Sequence, residues 1–367
     1  MNAAQPLARP CVLRSALAVL GALLLAAPAG AQASLSSRAA ICPHGTTGPV
    51  HAYAITPLGG EATAINAAGQ VLVNQGTLAY LFTPSQPNGT QGQLVPLGTL
   101  GGTVSIGKGL NAAGHGTGFS TLAGGEYRAF LSGEGPLQGI GTLSGDFSSG
   151  TAINDAGQIV GFSYGADSEE HGFLWTPFVR GGSTGSMLDL GTLGGDYSEA
   201  LAVNAAGDVA GYAYTPAGAF HAFVWHAAHM TDLGTLGGSY SKAFALDDHG
   251  RIVGQAYLPG NGKAHACLWA NGQPAVDLGN LGGSYSAALG LDVDGQHIVG
   301  EATVPGGAFL QYHAFLYAGG EMLDLNLLVQ GSGGWLLQSA HAVNSAGQIV
   351  GAGLLDGLPA GFLLTPL

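Results

Sequence analysis

Positive charge is what this chain has least of. Nine Lys and Arg stand against 22 Asp and Glu in 367 residues, for a formal net charge of −13. Binding to nucleic acid or an anionic membrane surface needs clustered basic side chains, and no two of the nine form a run. Neither partner is expected. Long apolar runs are also missing. The longest, Ala16 to Ala27, is too short for a comfortable membrane span, and nothing later approaches the roughly 20 residues required. Cysteine amounts to three residues. Cys11 lies in the leader described below. Cys267 occupies a place where sister units carry Phe, which reads as a buried thiol in an apolar role, with a Cys42–Cys267 disulfide as the lesser alternative. No GxSxG elbow occurs, and the glycine-rich phrases lack the Lys and the following helix that a phosphate cradle needs.

Glycine, by contrast, is abundant, at 65 residues against a usual level near 7%. Hydrophobic residues still make up 46%, so the composition supports a folded core rather than disorder. The amino terminus carries Arg9 and Arg14, then the apolar run, then Ala29-Gly-Ala31 and Ala31-Gln-Ala33. That order predicts a secretory signal peptide over 1–33, cleaved after Ala33 or Ala31, an extension over 34–50, and an exported product, extracellular or periplasmic in a bacterium. Cleavage removes two of the nine basic residues, and the remaining seven against 22 acidic ones give −15.

The rest of the chain repeats. A turn of the form Asn/Asp-x-x-Gly recurs at Asn66, Asn111, Asn154, Asn204, Asp247, Asp292 and Asn344, spaced by 45, 43, 50, 43, 45 and 52 residues. Small residues alternate before each turn, as at Ser198, Ala200 and Ala202. After it come Ile159-Val-Gly161 or a relative, then His171-Gly-Phe-Leu-Trp175, His221-Ala-Phe-Val-Trp225, His265-Ala-Cys-Leu-Trp269 or His313-Ala-Phe-Leu-Tyr317. A DLGTLGG phrase closes the unit at 189–195 and 232–238, with variants at 277–283, 96–102 and 139–145. Short β-rich phrases bounded by Gly, Asn and Asp are strands and turns, and four in about 45 residues predict one propeller blade. The last unit ends on a third strand, while Tyr53-Ala-Ile-Thr-Pro-Leu-Gly-Gly60 precedes the first turn as a strand without a unit. A ring that borrows its first strand to complete its last blade explains both. The expectation is an all-β, seven-bladed β-propeller over 51–367, with a β-solenoid as the alternative.

The HAFxW, LGTLGG and INxxGQIVG phrases, recurring in order from residue 51 onward, resemble the HAF-repeat family of bacterial extracellular proteins. Units one and two depart from it, because Ala79-Tyr-Leu-Phe82 and Arg128-Ala-Phe130 lack the His. The resemblance implies export and a repeat architecture, and it carries over no catalytic residue.

Residues that recur at equivalent places in several blades are read as scaffolding. Equivalent His residues would be a whole blade apart, too far to share a metal, so each should bond a loop or a carboxylate of its own blade. Asp189, Asp232, Asp277 and Asp324 receive the same reading, and Asp292-Val-Asp294 is read as a turn rather than a calcium loop. No cofactor or metal is expected. The non-repeating residues point to one rim, formed by the loops between second and third strands and by the links between blades. That rim should carry Tyr197, Tyr240, Tyr285 and Phe147, the acidic stretch Tyr164, Asp167, Glu169 and Glu170, and Phe309 to Tyr312. Rings beside carboxylates suit a carbohydrate or peptide ligand. Packing of the rings on neighbouring blades is the competing reading. The function expected is non-catalytic recognition or scaffolding by an extracellular monomer. The alternative is a polymer hydrolase or lyase using carboxylates among Asp146, Asp167, Glu169, Glu170, Asp196 and Glu199.

Overall fold

A computed structural model describes residues 52–367, apart from Asp167, Asn271 and 307–310. The signal peptide predicted over 1–33, the extension over 34–50, Cys11, Cys42, Asp167, Phe309 and Leu310 therefore lie outside the described residues. Seven four-stranded antiparallel sheets form a ring, each sheet a blade. From the innermost strand outward, blade 1 is Glu61–Ile65, Val71–Gln75, Leu78–Pro84 and Gly92–Pro96. Blade 2 is Gly101–Leu110, Gly116–Leu122, Tyr127–Gly133 and Gly135–Gly139. Blade 3 is Ser148–Ile153, Ile159–Tyr164, Glu170–Pro177 and Gly185–Asp189. Blade 4 is Ser198–Val203, Val209–Tyr214, Phe220–His226 and His229–Asp232. Blade 5 is Ser241–Leu246, Ile252–Tyr257, Ala264–Trp269 and Val276–Gly279. Blade 6 is Ser286–Leu291, His297–Val304, Gln311–Ala318 and Glu321–Asp324.

Blade 7 takes three strands from the carboxy terminus, Trp335–Val343, Ile349–Leu355 and Leu358–Pro366, and its outermost from Tyr53–Pro57. The closing strand pairs in register from Tyr53 opposite Pro366 to Pro57 opposite Phe362. Blade 7 also meets blade 1 directly, since His341 Nδ1 lies 2.8 Å from the carbonyl oxygen of Ala62. The circle is closed, which a solenoid is not. Among the described residues no helix is long and apolar enough to cross a membrane.

The core lies between blades rather than on the axis. Val160 and Leu174 of blade 3 pack against Ala200, Val209, Ala213 and Phe223 of blade 4, and the same interleaving recurs around the ring. The small residues of the innermost strands fit this closeness. Each innermost strand also carries a bulge, at Thr63, Lys108, Thr151, Leu201, Phe244, Leu289 and His341, where the pairing register jumps by one residue. Beside the bulge the second strand supplies a Gly in blades 2 to 7, the Gly of the Ile-Val-Gly phrase or its relative, whereas blade 1 has Val73 there. A Cβ on Gly211 would lie 2.0 Å from the carbonyl oxygen of Glu199, so no larger residue fits. That same Gly faces the Phe of the next phrase across the sheet, Gly211 opposite Phe223 and Gly161 opposite Phe173. Cys267 takes the Phe position opposite Gly254 and is a fully buried free thiol. Burial, and then the nearby Asp277 charge, push its pKa well above the ordinary thiol value.

Candidate functional site at the channel rim

The repeated polar residues fold back on their own blades. His171 Nδ1 lies 2.9 Å from Asp189, and His221, His265 and His313 make the same contact with Asp232, Asp277 and Asp324. The other carboxylate oxygen of each Asp accepts a backbone N–H two residues on, from Gly191, Gly234, Gly279 and Asn326. In blade 5 the Asn280 amide donates to His265 Nε2 at 2.7 Å, so the ring proton sits on Nδ1 and points at Asp277. The Ser that opens the next blade completes the knot. Ser198 Oγ accepts from Gly172 N–H at 2.8 Å and donates to the carbonyl of Gly191 at 2.6 Å. These residues are fasteners. Asp292 is a turn residue too, accepting from Gln296 N–H and contacting His297 Nδ1 at 2.7 Å.

The described link residues lie at one end of the blades, on one rim. The link residue entering each blade bonds to the end of that blade's second strand. Tyr214 N–H donates to Tyr197 O, Tyr257 N–H to Tyr240 O, Thr303 N–H to Tyr285 O and Tyr164 N–H to Phe147 O. Around these anchor points the rings touch one another in an arc over blades 2 to 6. Phe119, Tyr127, Phe147, Phe162 and Tyr164 form its first stretch, at centroid separations of 5.6–5.8 Å. Tyr197, Tyr212, Tyr214, Phe220, Tyr240 and Tyr257 form the second, with Phe220 and Tyr240 at 4.7 Å. Tyr285 and Tyr312 form the third at 5.7 Å. Contacts run both within a blade and between neighbours, so the rings do pack. Tyr164, Tyr197, Tyr240, Tyr285 and Tyr312 nonetheless remain half-buried rather than enclosed.

The acidic stretch divides. Glu169 is exposed, with its carboxylate 3.8 Å from His171 Nε2. Glu170 is 4% exposed, turned inward at the start of its strand and bridged to Tyr197. It belongs to the wall of the rim and not to a solvated loop. Asp146 and Asp196 are exposed link residues, whereas Glu199 accepts from the Tyr197 hydroxyl, itself 3.2 Å from the Tyr212 hydroxyl. Burial, reinforced by Glu199, raises the pKa of both tyrosines far above 10, and burial with Glu301 does the same for Tyr285.

Two lysines missed in the sequence lie beneath the arc. Lys108 extends from the bulge of blade 2 to Ser149 Oγ at 3.3 Å, with its ammonium 5.6 Å from the Phe119 centroid and 5.4 Å from that of Phe162. Lys242 holds its ammonium 3.9 Å from the Tyr212 centroid and 4.9 Å from that of Phe220. Burial lowers both pKa values, and Glu199 opposes the shift at each. Their signal was scarcity, since the whole chain has only Lys108, Lys242 and Lys263.

Two concavities lie on the opposite rim, away from these residues. One of about 360 Å³ is lined by His115, Ser132, Glu134 and Gln138, and an open one of about 630 Å³ by His249, Arg251, Asp294 and Gln296. Among the described residues no three His, Cys, Asp or Glu converge to hold a metal.

No protein-family model matches the chain, and no curated protein does. Solved structures similar to it include a puromycin hydrolase S511A mutant complexed with PGG, at 13% identity, covering 82% of this chain and 50% of that one, with a TM-score of 0.49. YCF48 bound to D1 peptide is similar at 11% identity, 86% and 95% coverage and a TM-score of 0.47. A TolB-like protein from Agrobacterium tumefaciens follows at 11%, 84% and 90%, with 0.43.

Proposed function

We propose that this protein is an exported, non-catalytic recognition or scaffold module that holds an extracellular carbohydrate or peptide on the aromatic rim of its propeller. The observation that carries the reading is the arc itself. Half-buried rings from five consecutive blades converge on one rim, with Tyr hydroxyls, ammoniums and carboxylates set among them. An apolar surface with a few placed polar groups suits a sugar ring or a peptide side chain. Export is supported by the order of charged, apolar and small residues at the amino terminus and by the likeness of the repeats to HAF-repeat proteins.

The test is a thermal-shift panel on residues 34–367 with oligosaccharides and peptides. A ligand at a hundred times its dissociation constant adds about 2.7 kcal/mol of stability. A shift with one ligand class, lost in Tyr240→Ala, is the result expected. The absence of a shift with every class would overturn the reading.

A further inference from the structure

Blades 4 and 6 carry the same construction at the rim, and only one of them is complete. In blade 4 the Tyr197 hydroxyl donates to Glu199, and the Tyr212 and Phe220 rings stand beside them. The next blade supplies a cation. The Lys242 ammonium lies 3.9 Å from the Tyr212 centroid and 4.9 Å from that of Phe220, with burial favouring its neutral form and Glu199 the charged one. A lysine laid on ring faces in the field of a carboxylate is thus a fit that the propeller itself displays.

Blade 6 repeats these parts around a different acid. Its link residue Tyr285 is the counterpart of Tyr197. Tyr312, paired across the sheet with Thr303, holds the place of Phe220, paired with Tyr214. Glu301, opposite Ala287, holds the place of Tyr212, opposite Glu199, so the carboxylate stands one strand further out. The Tyr285 hydroxyl again donates to it, at 3.4 Å, and the Tyr285 and Tyr312 rings meet at 5.7 Å and 73°. Burial, and then the Glu301 charge, raise the pKa of both tyrosines, as rings beside a carboxylate require. All three side chains are half-buried.

The cation is what blade 6 lacks. The place that Lys242 holds in blade 5 is held in blade 7 by Ser339, opposite Ala352, which has neither the charge nor the length. Among the described residues Glu301 accepts from the Tyr285 hydroxyl alone and forms no ion pair. Residues 307–310, Gly-Ala-Phe-Leu, bring no charge either. Acidic side chains outnumber the four basic ones on this rim side, so the wider field also favours a cation.

We infer that blade 6 receives the ammonium of a lysine side chain on a bound peptide, between the Glu301 carboxylate and the rings of Tyr285 and Tyr312. The inference rests on the rim being the recognition surface. Tyr285 is bonded to Thr303 at the rim, and Glu301 lies two residues deeper, about 7 Å along the strand, a depth matched by the four-carbon stem of lysine. The stem lies against the rings, as Lys242 lies on those of blade 4, and the ammonium donates to Glu301. A neutral sugar or an acidic peptide leaves that carboxylate uncompensated.

The experiment titrates residues 34–367 with N-acetyl-Ala-Lys-Ala amide and with the same peptide acetylated on the lysine Nζ. The free ammonium binds about tenfold or more tightly, the scale of a hydrogen-bonded charge. Glu301→Gln brings the lysyl peptide down to the affinity of its acetylated form, and so does Ser339→Lys, which supplies the cation from within. Glu126→Gln, which removes an exposed charge on the same rim side, keeps the preference. Thermal melts show that the variants are folded. Should neither Glu301→Gln nor Ser339→Lys fold, the ratio of the two peptides on the unaltered chain decides alone. Equal binding of both peptides, a preference that survives Glu301→Gln, or oligosaccharide binding without peptide binding overturns the ammonium assignment and leaves rim recognition standing. Absence of binding by every ligand class overturns both.

Discussion

The side-chain amide of Asn344 donates to the main-chain carbonyl of Asn66 at 3.1 Å, joining the last blade to the first across 278 positions of sequence. The same bond runs from Asn66 to Asn111, Asn111 to Asn154, Asn154 to Asn204 and Asn204 to Asp247. Meanwhile each Asn oxygen accepts the N–H groups two and four residues on, as Asn154 does from Ala156 and Gln158. One amide thus shapes its own turn and ties it to the next blade. Asp247 and Asp292 have no amide to donate. In blade 5 Arg251 stands in, donating to Asp247 and to the carbonyl of Val293 in blade 6.

Asn154→Asp should therefore be costly although it preserves the turn acceptor. A carboxylate would face the carbonyl of Asn204 and the Gln158 side-chain oxygen, both now satisfied by the amide. A loss of about 1–3 kcal/mol is expected, the scale for an unsatisfied buried polar group. Urea unfolding checks it through a lower midpoint at unchanged slope.

The Ile-Val-Gly glycine is fixed by space. Gly211→Ala places a methyl 2.0 Å from the Glu199 carbonyl and should destabilise the protein by about 1–3 kcal/mol or prevent folding. Gly262→Ala, with nothing within 4 Å of the added carbon, should melt within a degree or two of the parent. Similar melting of the two variants would show that the bulge does not impose the glycine.

Removing residues 1–57 deletes the closing strand and bares the edge of Leu358–Pro366. Tyr53 is 2% exposed and bonded on its other side to Leu328 and Gln330, so the loss opens the edge and removes a core residue. The truncated chain should form oligomers or aggregate, as unpaired edges do. Light scattering after size exclusion reads this directly, and a stable monomer would contradict it.

Asp324 gives the fold an acid limit. Burial opposes its ionisation, but hydrogen bonds from His313 and Asn326 outweigh burial and hold its pKa below the ordinary carboxylate value. A depressed folded pKa contributes stability above the unfolded value near 3.9 and loses it as pH falls through the folded one. Melting temperature should fall below about pH 4. Asp324→Asn should melt lower at pH 7 and show a weaker dependence on pH between 4 and 2.

Much of the ring was legible because its punctuation is chemical. The Asn-x-x-Gly turns, the His and Asp phrases and the split last blade all appear in the chain as written, and the His–Asp pairs of blades 3 to 6 take the second of the two partners expected, a loop or a carboxylate of the same blade. The bulges were not legible, since a one-residue register jump leaves no mark in alternating small residues. Lys108 went unseen for that reason, lying on a bulge out of step with Lys242. The burial of Glu170 was not legible either, since two consecutive glutamates carry no mark of which one the start of the strand turns inward.

Isothermal titration of the ligand found in the panel, against the parent chain, Tyr240→Ala and His115→Ala, tests rim recognition most directly. Tyr240 belongs to the aromatic arc, and His115 lines the concavity on the opposite rim. The account predicts that Tyr240→Ala weakens binding about tenfold or more while His115→Ala leaves it unchanged. Binding that survives Tyr240→Ala and is lost in His115→Ala would place recognition on the other side of the propeller and contradict the account.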